Sequence, residues 1–225
     1  MRQSIVEHGA KLGYNESYRV HHTPDYSVPK NRDRVVFVGM RHDVGGPADF
    51  YRELETHRAA PATARETILS AGRYDTKANP RTCTAAVTLA ANPVTRRSPY
   101  AGMMVNGAGR PIDLDGIAPT LPAAMGGNKT PTMDEAAPRD PSIPNRFETY
   151  HQSFLDGTAS PGPGAFPQTV RRLTLKECAA IQTFPAGYRF SGCKTKQHKQ
   201  IGNAMPRRFA HTVAMSVRDA YLGGS

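Results

Sequence analysis

A chain of 225 residues, 38% hydrophobic and 21% charged, carries enough apolar material for one sizeable core or two small ones, and no apolar run in it is long enough to cross a bilayer. A net charge of +10 and a pI near 9.8 favour polyanions as partners, with nucleic acid ahead of membrane because no basic amphipathic anchor accompanies the charge. Three cysteines, Cys83, Cys178 and Cys193, are too few and too irregular for a disulfide framework or a zinc site, and the first residues lack a signal-peptide core, so a cytoplasmic protein without a metal is expected.

Ile5, Val6, Ala10 and Leu12 before Gly13 predict a short helix, and the run from Ser17 to His22 predicts a strand. Asp25 to Pro29 reads as a turn. Arg34-Val35-Val36-Phe37-Val38-Gly39 is a continuous apolar, β-branched run of the kind that forms a strand covered on both faces. From Asp43 to Gln168 periodicity weakens and Gly, Pro, Thr and Asn become frequent. A helix is expected within Ala59–Leu69, and short strands at Ala85–Leu89 and Met103–Val105. Arg110 follows Gly109, and Asn128-Lys129 follow Gly126-Gly127, where backbone can approach a ligand closely or simply turn. A Pro/Gly/Ser stretch from Gly157 to Gly164 reads as a linker.

The last third is the most informative. Thr174 and Glu177 have capping-box spacing, so a helix opens there, with Pro185 expected to end it at Phe184. Tyr188-Arg189-Phe190 reads as a strand and Gly202-Asn203-Ala204 as a turn. Pro206 suits the first turn of a final helix, whose Phe209, Val213, Val217 and Tyr221 form an apolar stripe. Residues 166–225 hold +8 of the net charge, which describes either a solvated basic face or one that holds nucleic acid.

These residues resemble the DNA cytosine-5 methyltransferase family. Arg171, Leu173-Thr174, Glu177, Ala179, Gln182 and Phe184-Pro185 match its motif IX, R-x-L-T-x-R-E-x-A-R-x-Q-x-F-P, and Gly202-Asn203-Ala204-Met205-Pro206 matches the G-N-x-x-P of motif X. The segment DYSVPKNRDRVVFVGMR is similar to motif VIII, with Lys30 in place of a glutamine, and Lys176 and Ala180 stand where arginines are usual. The resemblance implies the C-terminal part of a doubly wound, S-adenosylmethionine-dependent α/β sheet (residues 1–45), an inserted, mostly β, loop-rich target-recognition domain (46–168), and motifs IX and X with a helix returning to the sheet (169–225).

It also implies roles. Arg34 would donate to the carbonyl oxygen of an extruded cytosine, with Arg32 beside it. Gly202, Asn203 and Ala204 would border the cofactor. Arg171, Thr174 and Glu177 would support the recognition domain, and Thr120-Leu121, Arg110 and Lys129 would face duplex DNA. The family's F-x-G-x-G turn, Pro-Cys-Gln nucleophile loop and Glu-Asn-Val segment have no counterpart in these residues. Without a thiolate to attack the ring there is no covalent catalysis, so a second polypeptide carrying the catalytic half is expected. The alternatives are a remnant of an interrupted gene and a non-catalytic DNA-binding protein.

Overall fold

The computed structural model describes residues 2–140, 142–159 and 164–222; half of the expected linker at 157–164, residues 160–163, therefore lies outside the described residues. Helix α1 (Arg2–Lys11) ends before Gly13, whose φ of 84° needs no Cβ. Strands β1 (Tyr14–His22) and β2 (Asp33–Arg41) pair antiparallel over their whole length, from Tyr14 opposite Arg41 to His22 opposite Asp33. Helix α2 (Pro47–Thr56) starts with proline after Gly46 and buries Phe50, Tyr51 and Leu54. It packs against β2 and the final helix, α7 (Arg207–Leu222). Tyr26, Val28, Val36 and Phe209 complete this first core.

The expectation that β2 is covered on both faces fails. Val36 is buried and Val38 and Met40 pack inward, whereas Val35 and Phe37 are 37% and 41% exposed. They stand opposite Val20 and Tyr18, with the Tyr18 and Phe37 rings 5.3 Å apart, on the face whose Glu16 lies against Gly9 of α1. Among the described residues the sheet here is this two-stranded antiparallel hairpin alone.

The middle is dominated by loops, and its helices outweigh its strands, so "mostly β" is corrected. Helix α3 (Ala64–Ser70) has a full capping box from Thr63 and Glu66. The expected strand at Ala85–Leu89 lies later, as β3 (Leu89–Val94), which pairs with β4 (Met103–Val105); β5 (Thr132–Asp134) pairs with β6 (Val170–Arg172). Helix α4 (Arg146–Leu155) is capped by Asn145, whose side chain accepts from Phe147 N at 3.0 Å, and it helps enclose Met104, Val105, Phe166 and Val170.

Helix α5 (Leu175–Ile181) opens at the predicted capping box but stops three residues before Phe184. Thr183 adopts φ 61°, and the bonds from Thr183 N to Ala180 O and from Phe184 N to Ala179 O form a Schellman closure, with threonine where glycine is usual. Tyr188-Arg189-Phe190 is not a strand; the Phe184, Tyr188 and Phe190 rings cluster within 5 Å of one another instead. Gly202 and Asn203 are the last residues of helix α6 (Lys194–Asn203), not a free turn, with Ala204 as its C-cap. On α7 the inward face is Phe209, Val213, Ser216 and Ala220, while Val217 and Tyr221 are 52% and 61% exposed, because a strict four-residue step drifts around a helix of 3.6 residues per turn. The helix thus finds a surface within this chain. Ile112, Leu114, Leu121, Met125, Leu173, Cys178, Ile181 and Ile201 form the largest core, joining the middle to α5 and α6.

Candidate nucleic-acid interface

Three distant pieces of chain meet at the base of the hairpin. Lys30 is fully buried and its Nζ donates to Gln182 Oε1, while Gln182 Nε2 donates to the carbonyl of Ala204. Arg32 Nη1 donates to Gly202 O at 2.9 Å. Burial, and then the neighbouring Arg32 charge, push the Lys30 amine down to about 7. Arg32 Nε is buried without a partner, and burial likewise lowers that guanidinium's pKa. Among the described residues neither cation pairs with a carboxylate. A Cβ on Gly202 would lie 2.6 Å from Ala123 Cα, so this glycine is required by a close approach of α6 to the chain at 122–123.

That approach carries the chain into a cleft of about 450 Å³. Asn31 N donates to Ala118 O at 2.9 Å and Thr120 Oγ1 donates to Asn31 O at 2.5 Å, which seats the loop 118–122 against the hairpin base. Asn31 and Thr120 line one part of the cleft, and Ala108, Arg110, Lys129 and Pro131 line the rest. Arg110, Thr120 and Lys129 are all exposed there, as a surface for DNA requires. Leu121 is not: at 1% exposure it belongs to the core, because an extended chain turns successive side chains to opposite sides. Arg34 also stands apart. It is half-buried on β2 opposite His21, with Nη1 donating to Asp33 O at 2.9 Å, and it does not line the cleft.

Arg171, Thr174 and Glu177 are brought together behind the cleft. The Arg171 fork spans Glu177, with bonds of 2.8 and 2.7 Å, its Nε bonds Glu135, and the guanidinium stacks 3.9 Å over the Tyr74 ring. Burial disfavours the charged form, but Glu177 and Glu135 outweigh it and hold the Arg171 pKa above its ordinary value. Thr174 Oγ1 meets Asn79 Oδ1 at 2.5 Å, and Asn79 Nδ2 donates to Glu177 Oε1 at 3.1 Å. Sequence reasoning gave no role to Asn31, Gln182 or Arg172. Gln182 was visible within the motif, whereas nothing local marks Asn31 or separates Arg172 from its neighbour. Among the described residues no group of three His, Cys, Asp or Glu is placed to hold a metal; Cys178 is buried and Cys193 exposed.

The sequence profile of C-5 cytosine-specific DNA methylases matches residues 1–218. Type II methyltransferase M.NgoMIV of Neisseria gonorrhoeae is 26% identical over 226 residues, covering 96% of this chain and 58% of the relative; M.BspRI of Lysinibacillus sphaericus is 28% identical over 228 residues, covering 96% and 46%. The chain thus spans about half the length of the curated relatives it matches. The crystal structure of the S. pombe Dnmt2 methyltransferase superposes with a TM-score of 0.56 at 11% identity, over 99% of this chain and 61% of that one, and that of the Entamoeba histolytica methyltransferase EhMeth with 0.51 at 11%, over 99% and 58%; both show likeness of fold alone. With three motifs in order and the profile matched almost from end to end, the chain belongs to the C-5 cytosine-specific DNA methylase family.

Proposed function

We propose that these residues form the DNA-recognition and pocket-closing half of a cytosine-5 methyltransferase, working in the cytoplasm with a catalytic half that a second polypeptide supplies. The observation that carries this reading is the cleft, which gathers Arg110, Thr120 and Lys129 with Asn31, next in the chain to Arg32. Two arginines at the hairpin base divide the work: Arg32 ties β2 to α6 through Gly202, and Arg34, whose Nη1 donates to the backbone carbonyl of Asp33, swings to the carbonyl oxygen of an extruded cytosine. The solvent-facing Val20, Val35 and Phe37 are the surface on which the catalytic half sits.

Members of this family normally use S-adenosylmethionine, which supplies the methyl group when bound. The residues at 202–204 fit it as one wall: the carbonyls of Gly202 and Ala204 are already bonded within the chain, and Asn203 is exposed at the helix end, free to hydrogen-bond. The test is reconstitution with a half carrying the Pro-Cys-Gln loop, using tritiated methyl donor and cytosine-containing duplex. Activity is expected only in the mixture. Arg34→Ala should lower turnover there by about one to two orders of magnitude, since a charge-assisted hydrogen bond contributes about 1.5–3 kcal/mol, with cofactor affinity little changed. Full activity of the chain alone, or an Arg34 variant as active as wild type, would overturn the corresponding assignment.

A further inference from the structure

Arg172 is 2% exposed and no carboxylate pairs with it among the described residues. Its guanidinium is spent on two loops. Nη1 donates to the carbonyls of Asn128 and Thr130 at 3.1 and 3.0 Å, and Nη2 to the carbonyl and side-chain oxygen of Asn106 at 3.0 and 2.9 Å. The loops themselves touch backbone to backbone, with Gly109 N donating to Asn128 O at 3.1 Å. A Cβ on Gly107 would lie 2.3 Å from Asn128 O, and one on Gly109 would lie 1.9 Å from Thr130 O and 3.0 Å from Arg172 Nη1. The seam therefore admits only glycine on one side and is filled by the guanidinium fork on the other.

Each side of the seam delivers one cation to the cleft: Arg110 follows Gly109, and Lys129 lies between the two carbonyls that Arg172 holds. We propose that Arg172 is a positioning residue for sequence recognition, stapling loops 106–110 and 127–131 so that Arg110 and Lys129 keep a fixed separation across the cleft. The proposal rests on the reading of that cleft as the DNA interface. A guanidinium suits the task because its donors diverge in a rigid plane and can hold several carbonyls at once, whereas a lysine offers one mobile centre. Reading base edges requires donors fixed in place, but attraction to phosphates requires only charge. Loosening the staple should thus cost discrimination and leave bulk affinity intact.

The experiment selects bound sequences from a random duplex library with the full chain as wild type, Arg172→Lys, Arg172→Met and Gly109→Ala, and in parallel follows binding of each to one arbitrary duplex across a salt series. Wild type is expected to enrich a defined sequence. Arg172→Met should lose about tenfold or more of that enrichment, the scale set by one mismatched base pair, with the salt-dependent binding to the arbitrary duplex unchanged. Arg172→Lys should recover part of it. Gly109→Ala keeps the arginine and forces the loops apart, so it should reproduce the loss, and it decides the matter if Arg172→Met fails to fold. Enrichment by Arg172→Met or by a folded Gly109→Ala equal to wild type would overturn the proposal. Absence of enrichment by wild type itself would overturn the underlying reading of the cleft, and the staple's role with it.

Discussion

The surroundings of Arg171 and the hairpin base both bury cations, and they do so in opposite ways. The Arg171 charge is answered: Glu177 and Glu135 take the guanidinium, and Asn79 and Thr174 take what remains of the Glu177 carboxylate. At the hairpin base Arg32 and Lys30, whose amine burial brings down to about 7, are held by a carbonyl and an amide, with no carboxylate paired to either among the described residues. The first arrangement is self-sufficient and serves as framework. The second leaves positive potential beside the cleft, where a polyanion would supply the missing counter-charge.

The contrast is broken most severely on the balanced side. Glu177→Ala leaves Arg171 buried beside Glu135 alone and removes half of the capping box, so unfolding free energy in urea should fall by about 3–5 kcal/mol. On the unbalanced side, Arg32→Met removes one charged hydrogen bond together with an uncompensated buried charge, and the stability loss should stay below that of Glu177→Ala, at no more than about 1.5–3 kcal/mol. An equal loss in the two variants would erase the distinction between the regions.

The gentlest test uses pH. Because burial brings the Lys30 amine down to about 7, between pH 7 and pH 10 the unfolded chain keeps a proton that the folded chain has released, and raising pH across that window favours the fold. Lys30→Gln should flatten the dependence by up to about 1.4 kcal/mol per pH unit while still offering an amide to Gln182. Parallel stability profiles for wild type and variant from pH 7 to 10 would show that Lys30 is not the group responsible.

What could be read from sequence followed how local the determinant was. The capping box at Thr174 and Glu177 and the glycine stop at Gly13 are decided within a few residues and appear as expected, and the β2 run forms its strand although not with both faces covered. The misses have tertiary causes. Helix α6 shows almost no apolar face, since its buried side is only His198, Ile201 and Gly202, and α2 lay hidden in a stretch rich in turn residues although Phe50, Tyr51 and Leu54 carry a helical spacing. Arg110 and Lys129, drawn from loop composition, and Thr120, drawn from the family resemblance, lie around one cleft, but the partition of Thr120 outward and Leu121 inward needed the backbone. Nothing in the dipeptide Arg171-Arg172 foretells that one arginine meets two carboxylates and the other four loop oxygens.

Phe209 sits fully buried among Tyr26, His21 and the hairpin, and Arg208 Nη1 reaches Ser27 O across 181 positions of chain. During synthesis the hairpin therefore leaves the ribosome long before the helix that covers its inner face exists. At about 5–20 residues per second the interval is on the order of ten to thirty seconds. For that time the inner face of the β1–β2 ribbon has α2 against it but not Phe209 or Val213, so a partly uncovered apolar surface follows from translation order, separate from the stability of the finished fold.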